Sequence, residues 1–240
     1  MVFVLFNRLS ERDKGNAIKK LIYESTPDQD FFLMMILSIL MATFGLLINS
    51  VAVIIGSMLI APILSPILSL SLGVVMADPK LISRSFYTII KSLAYGISAA
   101  AIITLLFNSQ YQNTSEIIAR TEPSMIYAAI AVIAGLAASF AIIMPEIGAS
   151  LPGVAISVAL IPPIAVTGIG VARFDWHIIS NSFLLFAINA AGIVFASMII
   201  FSMMNLYGKR KVVASAVKKE DDIVKKEIEE AKKLAEKESK

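Results

Sequence analysis

The chain has no cysteine among its 240 residues. That excludes a disulfide framework, a thiol nucleophile and any thiolate metal site, and it leaves the redox compartment unreadable. A single histidine, His177, excludes a centre built from several imidazole ligands. Charge is scarce as well. Charged residues make up 16% of the chain against 57% hydrophobic ones, and all but Lys91 lie outside the apolar runs. This balance belongs to integral membrane proteins and not to soluble globules. No phosphate-binding loop, zinc motif or catalytic triad is present, and no paired acids or activated nucleophile lie within the apolar runs. Neither an enzyme nor a cofactor is therefore expected. A net charge of +3 is modest and points to no nucleic-acid partner. Residues 1–6 are too short for a signal-peptide core and lack a basic stretch before them. Ser10-Glu11-Arg12-Asp13, followed by Ile18, Leu21 and Ile22, fits either a short amphipathic helix on the membrane surface or a frayed, solvated terminus.

Six apolar runs are present, at 31–48, 51–76, 86–107, 125–144, 151–172 and 180–206. Most reach the ~20 residues needed to cross ~30 Å of hydrocarbon. The expected fold is all-α, a polytopic membrane protein with six transmembrane helices. Its segments are a cytoplasmic amphipathic stretch 1–30, a first membrane unit 31–107, an extracellular loop 108–124, a second unit 125–206 and a cytoplasmic charged helix 207–240. Lys and Arg set the orientation. With the N-terminus inside, the cytoplasm receives Arg8, Arg12, Lys14, Lys19, Lys20, Lys80, Arg84 and the basic tail, and the outside keeps Arg120 and Arg173. Lys91 is close enough to the same interface to snorkel there. The rival topology makes the proline-bearing runs re-entrant hairpins and leaves four spans. It moves Lys80, Arg84 and Lys91 outside, so the positive-inside rule favours six. The sequon Asn113-Thr114-Ser115 falls in the loop that six spans place outside.

Two of the runs are interrupted by proline and match one another. Val53/Val154, Ile55/Ile156, Leu59/Leu160, Ile60/Ile161, Pro62/Pro163 and Ile63/Ile164 coincide at an offset of 101 residues. The same offset carries the first span onto the fourth and the third onto the sixth. Units of three spans enter the membrane from opposite sides, so the expected architecture is an inverted repeat with broken second and fifth helices. Broken helices in lipid survive inside protein or beside water, which makes them the expected lining of a pathway.

The run Ile55-Gly56-Ser57-Met58-Leu59-Ile60-Ala61-Pro62-Ile63-Leu64-Ser65-Pro66-Ile67, followed by Leu72-Gly73, resembles the signature of an uncharacterised archaeal and bacterial membrane family. That family is domain of unknown function 389, also labelled a hydrophobic domain. The resemblance covers roughly residues 30–205 and implies a polytopic membrane protein without lending an activity. It further implies, for many members, a soluble N-terminal domain. With about thirty residues before its first span, this chain is expected to lack it.

The candidate pathway residues are Gly56, Ser57, Pro62, Ser65, Pro66, Glu146, Pro162, Pro163, Thr167 and Asn189. The prolines free carbonyls near mid-span, and hydroxyls and free carbonyls can replace an ion's hydration shell. Glu146, after Pro145 in the short turn between the fourth and fifth runs, is either a candidate proton or cation site at the cavity mouth or an exposed loop acid. The competing role of each serine is close helix packing. Ala94, Gly96, Ser98, Ala99 and Ala100, and Gly135, Ala137, Ala138 and Ser139, read as packing surfaces within or between subunits. In the tail, acids precede bases by four residues at Asp221–Lys225, Asp222–Lys226, Glu229–Lys233 and Glu236–Lys240. Val213, Val217, Val224, Ile228, Ala231 and Ala235 form a narrow stripe that can pair copies in a homo-oligomer or stay solvated. Lys209-Arg210-Lys211 suits anionic headgroups of membrane lipid. The expected function is transport of a small ion or polar solute, as channel or transporter. The alternative is a scaffold or sensor acting through the tail.

Overall fold

The computed structural model describes residues 11–107, 113–143, 150–204 and 209–238. It is all-α, with no strand among the described residues. The helices are α1 (Glu11–Glu24), α2 (Gln29–Leu47), α3 (Val51–Ile60), α4 (Leu64–Val75), α5 (Pro79–Phe107), α6 (Ser115–Ala119), α7 (Met125–Ile143), α8 (Ser150–Arg173), α9 (Trp176–Met203) and α10 (Arg210–Glu238). Four of them, α2, α5, α7 and α9, are long and apolar enough to cross a membrane, and α3 with α4 makes a fifth if the bent pair is one span.

The two proline runs behave differently. In 51–76 the helix stops at Ile60, Ala61 is extended (φ −71°, ψ 121°), and α3 and α4 meet at 53°. A residue before proline is pushed out of the α region, which accounts for Ala61 before Pro62. Pro66 then falls in the first turn of α4, where a missing N–H costs no intrahelical bond. The expected break in 151–172 does not occur: α8 runs unbroken through Pro162 and Pro163. Two carbonyls one turn earlier lose their donors there, yet every residue from Leu160 to Gly170 is buried. The Thr167 hydroxyl binds back to the Pro163 carbonyl at 2.8 Å. Packing on all sides holds this half of α8 helical where proline alone would break it.

Asn49, Ala77 and Phe174 adopt positive φ, and each ends a helix at a tight corner. The amide two places beyond the last helical turn returns to a glycine carbonyl: Ser50 to Gly45 at 2.8 Å, Asp78 to Gly73 at 2.9 Å and Asp175 to Gly170 at 3.0 Å. This is the Schellman closure. The glycines are required by close approach, because a Cβ on Gly73 or Gly170 would sit 3.0 Å from the amide nitrogen of Ile82 or Ile179.

Contacts define two ends of the bundle. At the first, α1 buries Ile18, Leu21 and Ile22 and packs against α4 and α7. Lys14, Ile18 and Leu21 line one small gap with Leu72, Ile142, Phe201 and Met204. The amphipathic N-terminal segment is thus a helix, and its apolar face meets protein. α10 returns to this end and buries Val213 and Val217, packing along α1. At the second end, Thr114 donates to the Leu46 carbonyl at 2.8 Å and Ser115 to Asn49 Oδ1 at 3.0 Å. Asn181 donates to the Thr121 carbonyl at 3.1 Å, and Arg173 donates to Asn113. The bent pair therefore leaves the second end at Ser50 and reaches the first end at Asp78. There Arg84, one and a half turns into α5, donates to Thr26 at 2.9 Å.

α8 lies between α2 and α5. A Cβ on Gly96 of α5 would stand 3.1 Å from Ile164 and 3.2 Å from Ile39. Serines and threonines inside the bundle satisfy their hydroxyls on carbonyls of their own helix, as at Thr43, Ser71, Ser92, Thr104, Ser139 and Ser197. That arrangement lets small polar residues pack in an apolar interior without an unpaired donor.

Candidate functional site

The break between α3 and α4 opens into a cleft of about 400 Å³. Its walls include Ile60, Pro62 and Ser65 from the broken span and Glu24, Asp28 and Asp30 from the α1–α2 junction. Local sequence places each acid. Asp28 caps α2 by accepting the Phe31 amide at 2.7 Å, and Asp30 follows in the first turn, where the helix dipole favours a carboxylate. Glu24 ends α1, 3.8 Å from Lys20, and accepts the Ser65 hydroxyl at 3.1 Å. A second serine of α4, Ser69, donates to Ser25 at 2.9 Å and so ties α4 to the same junction. The C-terminus of α3 also faces the cleft, and a helix end of this sense carries partial negative charge on its carbonyls. Pro62 has no N–H to return to the Met58 carbonyl. The cleft is therefore acidic on one wall and carbonyl-rich on the other. Among the described residues no three acids or histidines converge closely enough to hold a metal ion.

The sequence-derived residues fall into separate groups. Pro62 and Ser65 line the cleft, and Pro66 is buried just beyond it. Ser57 is buried one turn away, donating to the Ile54 carbonyl at 2.6 Å, while its own carbonyl accepts the Ser38 hydroxyl at 2.7 Å. Gly56 faces α2, where an added Cβ would meet only the terminal methyl of Met41. Pro162, Pro163, Thr167 and Asn189 are buried inside the bundle and do not line this cleft. Thr167 shares a 2.9 Å hydrogen bond with Ser182 of α9, so it joins two helices. The second proline segment is a packed helix that does not reach this cleft. Glu146 lies outside the described residues.

Glu24, Asp28 and Asp30 were not among the residues singled out from sequence. They lie outside the apolar runs, and a search for buried polar groups passes over them. The legible signal was Asp28 with Asp30 just ahead of the first span, an N-cap pattern that brings carboxylates to a span's mouth.

The corners disclose a second correspondence. Asp78-Pro79-Lys80-Leu81-Ile82-Ser83-Arg84-Ser85-Phe86 opens α5, and Asp175-Trp176-His177-Ile178-Ile179-Ser180-Asn181-Ser182-Phe183 opens α9. Both aspartates cap: Asp78 accepts the amides of Lys80 and Leu81, and Asp175 those of His177 and Ile178. The offset here is 97 residues, which pairs Gly73 with Gly170 and Pro66, not Pro62, with Pro163.

Over residues 58–195 the chain matches the family described as Domain of unknown function (DUF389). The chain belongs to this family. The matched segment starts in the last turn of α3 and includes the break, α4, both corners and most of α9. An uncharacterized protein of Methanocaldococcus jannaschii is 34% identical over 170 residues, covering 71% of this chain and 52% of that protein. The chain thus spans about half the length of this curated relative. No solved structure matches the chain.

Proposed function

We propose that the protein is a six-span membrane transport protein, a channel or transporter, whose acidic cleft at the broken second span admits a small cation or polar solute. The cleft carries this reading: it joins a helix interrupted inside an apolar bundle to three carboxylates and a carbonyl-bearing helix end. Irregular backbone in a membrane persists where it lines a cavity. A cavity of one charge sign raises the local concentration of the opposite ion.

The six-span topology draws support from the bundle's two ends. Successive helices alternate between them, and the bent pair starts at one end and finishes at the other. The inverted repeat draws support from the corners. The nine-residue corner sequence that opens α5 lies at the first end, beside Thr26, and its counterpart opening α9 lies at the second, beside Thr121. One sequence at opposite ends is what inversion requires. By the positive-inside rule the first end, with α1, the docked start of α10 and Lys80, faces the cytoplasm. Cysteine substituted for the exposed Ile118 of α6 is then labelled by an impermeant reagent added outside sealed cells; protection of that site would return the four-span topology.

Flux tests the function directly. Proteoliposomes are expected to take up at least one member of a panel of monovalent and divalent cations and small polar solutes above empty vesicles. Silence across the panel would favour the second reading, a scaffold. One observation speaks for that reading: α10 continues past its docked first turns with Ile223 and Ile228 exposed. The same geometry limits homo-oligomer pairing through the tail, since Val213 and Val217 of its stripe are already taken by contact within the chain.

A further inference from the structure

Lys91 lies in the middle of α5, 12 residues beyond Pro79, on a helix counted among those able to cross a membrane. Its ammonium rests 4.4 Å from the centre of the Phe32 ring, 5.6 Å from that of Tyr95 and 5.8 Å from that of Tyr87. Phe32 and Tyr95 meet edge to face at 5.2 Å, which fixes two sides of this cage. The ion pairs given by described residues, Lys20–Glu24, Arg84–Asp221 and Arg120–Glu116, leave Lys91 without a carboxylate. Tyr87, Lys91 and Tyr95 are spaced by four and share one face of α5, with Tyr87 60% and Tyr95 41% exposed. The face therefore looks outward from the bundle and not into it. Phe32 is in the first turn of α2, so the ammonium is drawn toward the first end, at the level of Asp28 and Asp30. α5 is 29 residues long, about 43 Å at 1.5 Å per residue. It exceeds ~30 Å of hydrocarbon, which leaves its first turns outside the core and brings Lys91 within snorkelling distance of the interface.

We infer that Lys91, with Tyr87, Tyr95 and Phe32, is a binding site for the phosphate of an anionic glycerophospholipid in the leaflet at the first end. Aromatic rings orient the ammonium but leave its charge uncompensated, and a cation at that depth takes an anion as partner. The bilayer supplies one at the right height. Ile102 and Leu105, exposed on α5 three to four turns beyond Lys91, offer the acyl chains apolar surface below the headgroup. The inference rests on membrane insertion and is independent of transport.

The test exchanges the full chain into micelles holding equal amounts of phosphatidylglycerol and phosphatidylcholine and quantifies retained lipid by mass spectrometry. The wild type and Lys91→Arg are expected to retain phosphatidylglycerol in about fivefold preference, the factor one basic residue supplies near an anionic surface. Lys91→Met and Lys91→Gln are expected to retain the two lipids equally. Excess inorganic phosphate is expected to leave the wild-type preference unchanged. Equal retention by the wild type, or an undiminished preference in both neutral variants, would overturn the assignment. So would loss of the preference on adding phosphate alone, which would make this a free-anion site.

Discussion

Gly168→Ala is expected to destabilise the folded bundle by about 1–3 kcal/mol, and Gly168→Leu to prevent recovery of monodisperse protein. A Cβ at Gly168 would lie 2.5 Å from the Ala100 Cβ and 2.7 Å from the Ile97 carbonyl oxygen. Neither atom can swing aside, because one is the first side-chain carbon and the other is main chain. The substitution must therefore push α5 from α8, and α8 is the helix around which α2 and α5 close. Packing in lipid depends on such close approaches, since there is little hydrophobic force between helices to offset a lost contact. Gly135 crosses α9 in the same way, with Ile193 Cα 2.8 Å from a Cβ built on it. Gly15 is the control. Nothing lies within 4 Å of a Cβ there, so Gly15→Ala should be neutral or stabilising by up to about 1 kcal/mol through helix propensity. Thermal unfolding in detergent, read by size exclusion after heating, ranks the variants. A Gly168→Ala protein as stable as the wild type would show that the α5–α8 crossing is looser than described.

The double substitution Glu220→Gln, Asp221→Asn is expected to release α10 and speed tryptic cleavage at Lys218, Lys219, Lys225 and Lys226 by about tenfold, equivalent to ~1.4 kcal/mol of docking. Arg84 explains why. Its side chain is 10% exposed and its Nε lies 3.3 Å from Asp221. Its Nη2 is occupied by Thr26, and Nη1 has no hydrogen-bond partner. Glu220, itself buried, stands close enough to favour the guanidinium's charge. Removing both carboxylates leaves a desolvated cation uncompensated, which is costly while α10 covers it. Undocking α10 rehydrates Arg84, so the cost appears as release of the helix and not as global unfolding. Asp221 is about half exposed, which keeps the effect well below that of a fully buried pair. Raised salt should loosen α10 much less than the substitution does, because Arg84 and Glu220 are shielded from screening ions. Cleavage at an unchanged rate would mean that Val213 and Val217 alone dock the helix.

Hydropathy reads where a chain meets hydrocarbon, and to that extent the fold was legible. The runs at 31–48 and 125–144 correspond closely to Gln29–Leu47 and Met125–Ile143. It misses helix that continues outside the hydrocarbon. α5 starts at Pro79 and α9 at Trp176, seven and four residues ahead of their apolar runs, because Asp78 and Asp175 cap turns that contain Lys80, Arg84, His177 and Asn181. The proline segments were legible as irregular but not as different. Position within a helix decides whether a proline breaks it, and the burial that keeps α8 intact is a tertiary property. The offset of 101 followed prolines and aliphatic residues, which are too common in such helices to fix register. The polar corner residues give 97, and the stretch from Pro62 to Gly73, which contains the break at 61–63, is four residues longer than that from Pro163 to Gly170. The cleft was half legible. Pro62 and Ser65 stand in it, and the acids facing them come from a junction that composition assigns to the surface.

Blockade of flux at the cleft tests the central claim most directly. The chain has no native thiol, so a cysteine replacing Met34, an exposed residue on the cleft wall, is the sole site of modification. Proteoliposomes of Met34→Cys are expected to take up a cation before labelling and to lose most of that uptake after reaction with a bulky neutral maleimide. Ile118→Cys proteoliposomes, labelled at the other end of the bundle, are expected to keep theirs. Cation uptake by Met34→Cys that is indifferent to labelling, or absent from the outset for every cation in the panel, would contradict the account.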